Sequence, residues 1–261
     1  MNIEKYPLYN GKITLEFDTA KHIYSVNGKI VYGCTNIVGI INKPALMYWA
    51  VNQAIGNLAE ALKPGVKYDE VQLKNMLEEA KKMHTKTKDA AADLGTMIHE
   101  WIEKYLKAGL SKQPLPKLPI NLEMKTAIKG FLEWTKENKV KFISSERRIY
   151  SKKYKYAGTL DAEAMVNGKL AIVDFKTSNA FYPEYFLQAT AYQQAREEEA
   201  DKKYNGVYIV RFAKNKDTKQ PLFEVKKSEN FEGHLRVFLA CLKIYQFQQA
   251  NKKEQILNGI K

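Results

Sequence analysis

The chain has 261 residues, 45% of them hydrophobic and 27% charged, which excludes a largely disordered polymer and suffices for a sizeable core. Lys and Arg number 42 against 29 Asp and Glu, and the net charge of +13 favours a polyanionic partner through attraction and counterion release, although a Lys-rich solvated surface gives the same excess. Two cysteines, Cys34 and Cys241, exclude a disulfide framework and a four-thiolate metal site. No apolar run approaches a membrane span, and residues 1–6 lack a secretion-signal pattern, so the expected setting is the cytoplasm, away from membranes.

In chain order, short strands are predicted over 13–17, 22–26 and 29–32, with Asn27-Gly28 as a tight turn. Helical spacing follows over 45–62, ended by Lys63-Pro64-Gly65. It resumes over 69–83, with Asp69 as N-cap, and over 89–107, where Leu94, Met97, Ile98, Trp101, Ile102 and Tyr105 form an apolar stripe. The Pro-rich stretch 114–119 reads as an exposed connection, and 121–138 as a fourth helix. Strands are then predicted over 140–150, 156–166 and 169–176, a helix over 183–200, strands over 206–212 and 222–226, and a closing helix over 231–249. The plan is mixed α/β, with the helical N-terminal half as a possible cap.

The most informative stretch runs from Ala157 to Ser178. Asn167-Gly168 between two β-type runs is a strong signal for a two-residue hairpin, because both turn positions need positive φ. That register places Val166 opposite Lys169, Asp161 opposite Asp174 and Thr159 opposite Lys176. Leu160, Ala162, Ala164 and Val166 then share an apolar face with Ala171, Val173 and Phe175, while Asp161, Asp174 and Lys176 occupy the other. Asp161 and Asp174 fall in a non-hydrogen-bonded pair, where Cα atoms approach to about 4.5 Å and like charges repel. Either a divalent cation, Mg²⁺ or Mn²⁺, sits between them, or Lys176 neutralises one while the other faces solvent.

The motifs Gly158-Thr159-Leu160-Asp161, Asp174-Phe175-Lys176-Thr177-Ser178 and Gln188-Ala189-Thr190-Ala191-Tyr192, with Gly95-Thr96-Met97-Ile98-His99 upstream, resemble those of the PD-(D/E)XK nucleases. They are most similar to the RecB-like branch, which includes the nuclease domains of bacterial recombination complexes and the mitochondrial genome maintenance exonuclease. The likeness covers Gly95 to about Ala195. Leu160 stands where the family usually has Pro, the second acid is Asp174 rather than Glu, and the cysteines of iron–sulfur members are missing.

The resemblance implies a restriction-endonuclease-like mixed sheet core flanked by helices, in a single nuclease domain over 1–261. Its N-terminal strands and helical cap would fill 1–85 and its core 86–261. It implies that Asp161, Asp174, His99 and the Phe175 carbonyl ligate Mg²⁺ or Mn²⁺, and that Lys176 activates the attacking water. Gln188 and Tyr192, with Thr177 and Ser178, would hold DNA. On residues alone, His99 reads as a core-edge histidine one turn after Gly95, and Tyr192 as a half-buried aromatic. Lys152, Lys153 and Lys155, interleaved with Tyr154 and Tyr156, suit either a phosphate backbone or a solvated hairpin tip. Glu146 is a further candidate acid. His22, His84 and His234 read as surface residues.

The implied activity is a Mg²⁺- or Mn²⁺-dependent DNA exonuclease acting on single-stranded or end-containing DNA in recombination, replication or repair, in a phage or mobile-element setting. A single-strand annealing protein or helicase is the natural partner. A structure- or site-specific endonuclease of the same fold, or a non-catalytic DNA-binding module, are the alternatives.

Overall fold

A computed structural model describes residues 2–41, 44–213 and 221–257, without the side chains of 44–47, 83–94, 253 and 255–257, so Leu94 and His84 lie outside the described side chains. The elements are β1 (Ile3–Leu8), β2 (Ile13–Asp18), β3 (Ile23–Val26), β4 (Lys29–Gly33), α1 (Cys34–Val38), α2 (Pro44–Ala61), α3 (Glu70–Leu110), α4 (Leu122–Glu137), β5 (Lys141–Ser151), β6 (Tyr156–Val166), β7 (Lys169–Thr177), α5 (Pro183–Ala200), β8 (Val207–Phe212), β9 (Phe223–Ser228) and α6 (Phe231–Leu257). The mixed α/β plan is as expected, and among the described residues no helix is long and apolar enough to cross a membrane. Two helices predicted over 69–83 and 89–107 are one, α3, because no Gly or Pro interrupts residues 84–89.

The chain divides into two compact units, 1–41 with 99–261, and 42–98. The N-terminal strands belong with the main sheet because β4 pairs with β6 in parallel, Tyr32 against Tyr156 and Gly33 against Ala157. Within the smaller unit, α2 is the helix expected over 45–62.

The larger unit carries a nine-stranded mixed sheet in the order β1-β2-β3-β4-β6-β7-β8-β9, with β5 pairing β6. Both predicted Asn-Gly turns form, with positive φ at Asn27, Gly28, Asn167 and Gly168. They set Val26 against Lys29 and Val166 against Lys169. Pro7 is tolerated in β1 because that strand is an edge. α5 is the crossover that lets β7 and β8 pair in parallel. It starts on Pro183, whose fixed φ and missing N–H suit a first turn.

Helices cover both faces of this sheet. On one, Leu187, Ala191 and Ala195 of α5 pack with Leu160, Ile172 and Ile209, backed by Phe238 of α6. On the other, Phe131 of α4 meets Phe142, Phe175, Phe212 and Phe223. Each buried side chain of this size contributes roughly 1.5–3 kcal/mol. α5 is also tied polarly: Arg196 Nε donates to Glu163 Oε1 at 2.9 Å, and Ser144 Oγ donates to Glu163 Oε2 at 2.6 Å. Burial alone would raise the Glu163 pKa, but these donors, with Tyr204, hold it below the usual carboxylate range.

Candidate active site

The site lies where β7 leaves β6. The ladder runs from Val166 and Lys169 to Ala162 and Val173, in the predicted register, and stops there. Asp161 and Asp174 are therefore not ladder partners, as the continued hairpin would have made them. The next hydrogen-bonded pair would give the Phe175 N–H to Leu160. It goes instead to Asp161 Oδ2, at 2.7 Å. A side-chain carboxylate replaces a backbone carbonyl, and the strands part around it.

Strict alternation also fails here. Leu160 packs with α5, yet Glu163, an odd number of residues on, ion-pairs with Arg196 of the same helix. The expected grouping of Leu160 with Ala162, Ala164 and Val166 on a separate apolar face is thus corrected. At this point the β5–β6 pairing skips Glu146 and Asp161, with the register the same on both sides, and Glu146 adopts φ of 50°, sparsely populated for a non-glycine residue. Asp161 and Glu146 consequently line one cleft with His99, Glu103, Ser145 and Phe175.

Asp174 is fully buried, and Lys176 Nζ lies 2.7 Å from its Oδ2. Its Oδ1 is buried with no hydrogen-bond partner. Burial, with Asp161 adding and Lys176 opposing, pushes the Asp174 pKa up to about 7. Burial would lower Lys176, but Asp174 and Asp161 outweigh it and the ammonium is held more firmly charged than usual. Glu146 is likewise pushed up to about 7, first by burial and then by Asp161 and Glu103. His99 is exposed on α3 beside the cleft. Desolvation of its ring lowers its pKa against the pull of Asp161, with Lys176 acting in the same direction as desolvation, which favours the uncharged imidazole.

Asp161 and Asp174 thus share one ammonium, that of Lys176, while Glu146 interacts with Asp161, and burial is the largest cause of the raised pKa of both Asp174 and Glu146. Among the described residues, no three His, Cys, Asp or Glu side chains converge closely enough to cage a metal ion as they stand. The donor chemistry nevertheless fits a hard divalent cation. The half-buried Asp161 and His99 are oxygen and imidazole donors lining one opening, and the unpartnered Asp174 Oδ1 is a buried carboxylate oxygen close enough to Asp161 for the two charges to interact.

The other expected residues are placed as follows. Gln188 Nε2 donates to Tyr192 Oη at 2.5 Å and to Thr35 Oγ1 at 3.0 Å, and both members of the pair are buried. The Tyr192 ring lies against Gly158, where an added Cβ would come within 2.7 Å of it. The pair shares a helix face as expected, but that face is turned inward to fasten α1 and β6. Ser178 is buried and donates to the Ala180 carbonyl, while Thr177 Oγ1 is buried without a partner. Lys152, Lys153 and Lys155 are exposed in the β5–β6 turn, which Glu198 anchors through Ser151 Oγ and Lys153 N. That turn lies about 17 Å along β6 from Asp161. His22 is exposed, whereas His234 is half-buried against Phe186 rather than on the surface. Arg148, Thr159 and Tyr24, which no motif marks, form a polar cluster beside Glu146: Thr159 Oγ1 accepts from Arg148 Nη1 at 2.8 Å and lies 2.9 Å from Tyr24 Oη.

No family model matches the chain, and no curated protein does. Among solved structures, one described as "Crystal structure of SSO0001" is similar over 45% of this chain and 56% of its own, with 12% identity and a TM-score of 0.26.

Proposed function

We propose that the chain is a Mg²⁺- or Mn²⁺-dependent deoxyribonuclease of the RecB-like PD-(D/E)XK type, with a restriction-endonuclease-like core, that hydrolyses phosphodiester bonds from DNA ends. The observation that carries this reading is the meeting of Asp161, Asp174, Lys176 and His99 where β6 and β7 part, with Asp174 Oδ1 buried and unpartnered. Two carboxylates whose pKa burial raises to about 7 supply a chemical reason for a cation to bind.

Asp161, Asp174 and His99 would hold the ion, with the Phe175 carbonyl as the family's further ligand. Bound there, a divalent ion supplies Lewis acidity and a nucleophilic water at neutral pH. The chain's own residues do the rest. Lys176, charged and fixed by Asp174, orients the attacking water and offsets charge gathering on the phosphate oxygens. Phe175 N–H fixes the Asp161 carboxylate, so one of its oxygens stays directed into the cleft. The net charge of +13 draws the polyanion in. A cytoplasmic recombination or replication role, alongside a single-strand annealing protein or helicase, follows from the resemblance.

The test is cleavage of end-labelled linear single- and double-stranded DNA and of closed circles, in Mg²⁺, Mn²⁺ or EDTA, by wild type and Asp174→Ala. Metal-dependent loss of linear DNA only, abolished by the substitution, is the expected result. Cut circles would replace the exonuclease with an endonuclease. DNA binding without cleavage under every condition would overturn the catalytic reading.

A further inference from the structure

β4 and β7 pair with β6 at different places, β4 at Tyr156 and Ala157 and β7 at Ala162 to Val166. Between these contacts lies a fork that β6 residues 158–161 border. A cavity of about 460 Å³ opens in it, a size typical of small-molecule sites. Tyr24, Asn36, Glu146, Arg148 and Thr159 line it, and Glu146 also lines the cleft of Asp161 and His99, so the two spaces adjoin.

The chemistry of this cavity differs from that of the cleft. The Arg148 guanidinium stacks 4.5 Å from the Phe17 ring centre and 5.3 Å from that of Tyr6, and Nη1 donates to Thr159. Its Nε is buried without a partner. Its ion pair, 3.8 Å to a half-exposed Glu4, is weak. A planar cation held this rigidly beside an opening suits a phosphate oxygen. The aromatic body of Tyr24 and the exposed amide of Asn36 suit a nucleoside rather than a bare anion.

We propose that this fork cavity is a nucleotide subsite, taking the nucleotide next to the scissile phosphate, with its phosphate on Arg148 and its nucleoside against Tyr24 and Asn36. The assignment rests on the nuclease reading of the adjoining cleft. Glu146 stands between the two spaces and disfavours a second phosphate within the cavity, so the backbone runs from Arg148 toward Asp161 and Asp174.

The test is equilibrium binding of deoxyadenosine monophosphate, deoxyadenosine and inorganic phosphate to the full chain in EDTA, where no turnover occurs, for wild type, Arg148→Met and Asn36→Ala. The monophosphate is expected to bind wild type at least about tenfold more tightly than either fragment, and Arg148→Met to lose about tenfold or more. Asn36→Ala, an exposed position that leaves the fold intact, is expected to weaken binding several-fold. In Mg²⁺, both variants are expected to raise KM for single-stranded DNA with little change in kcat. Equal monophosphate binding by all three proteins, or none by wild type, overturns the subsite. Should Arg148→Met not fold, Asn36→Ala decides alone. If wild type cleaves no DNA in any metal yet the variants lose the monophosphate, the nuclease reading fails and the nucleotide pocket stands. Metal-dependent cleavage with monophosphate binding unchanged by the variants removes the pocket alone.

Discussion

Asp161 Oδ2 accepts the Phe175 backbone N–H at 2.7 Å, in the position where a continued β6–β7 ladder would place the Leu160 carbonyl. One carboxylate thus ends a sheet ladder and opens a cleft. Asp161→Asn keeps an acceptor oxygen for that N–H, so its stability is expected within about 1 kcal/mol of wild type, whereas Asp161→Ala loses the bond and about 1–2 kcal/mol more. Both are expected to lose cleavage by about 100-fold or more. Urea denaturation beside a cleavage time course checks this, and cleavage at the wild-type rate by Asp161→Ala would remove Asp161 from the site.

Stability without metal should depend on pH in a defined direction. Asp174 and Glu146 rise from ordinary carboxylate values of 3.8 and 4.5 to about 7 on folding. Between those limits the folded state binds more protons than the unfolded one, so stability is greatest at the acid end and falls as pH rises toward 7. His99, lowered on folding, acts oppositely below about 6.5. The melting temperature in EDTA is expected to drop across this range less steeply for Glu146→Gln and Asp174→Asn than for wild type. Mg²⁺ is expected to raise it most at pH 7 and above. A wild-type slope unchanged in both variants would contradict this charge balance.

Much of this arrangement is legible in the sequence, because local rules govern it. The two Asn-Gly turns fix their registers, and the β7–α5–β8 order follows from hydrophobic periodicity. Non-local features are not legible. The parallel pairing of Tyr32 and Gly33 with Tyr156 and Ala157 joins segments more than a hundred residues apart, and no local signal announces it. α1 has five residues, too few for a period to show. The face assignment rested on strict alternation along β6, which fails between Leu160 and Glu163, and nothing in Leu160-Asp161-Ala162-Glu163 marks it. Arg148 and Thr159 meet across paired strands, so only the register brings them together.

Gly158 is required by the approach of Tyr192. A Cβ there meets the ring at 2.7 Å, and Cys34 Sγ at 3.3 Å. Gly158→Ala is expected to cost about 1–3 kcal/mol through overpacking. Combining it with Tyr192→Leu is expected to cost less than the sum of the two substitutions. Chemical denaturation of the four proteins measures the coupling, and strict additivity would place the ring elsewhere.

The buried pair Glu163–Arg196 fastens α5 to β6. Arg196→Met is expected to cost about 3–5 kcal/mol, because it strands a buried carboxylate, and adding Glu163→Gln to recover part of that loss. A cost below about 1 kcal/mol for Arg196→Met would show that the carboxylate is solvated.

The central claim is divalent-metal-dependent phosphodiester hydrolysis at Asp161, Asp174 and Lys176. Its most direct measurement is the single-turnover cleavage rate of an end-labelled DNA single strand by wild type, Asp174→Asn and Lys176→Met, with Mg²⁺, Mn²⁺ or EDTA. Cleavage by wild type only with metal, reduced about 100-fold or more in both folded variants, is the predicted result. Equal rates in all three proteins, or cleavage undiminished by EDTA, would contradict it.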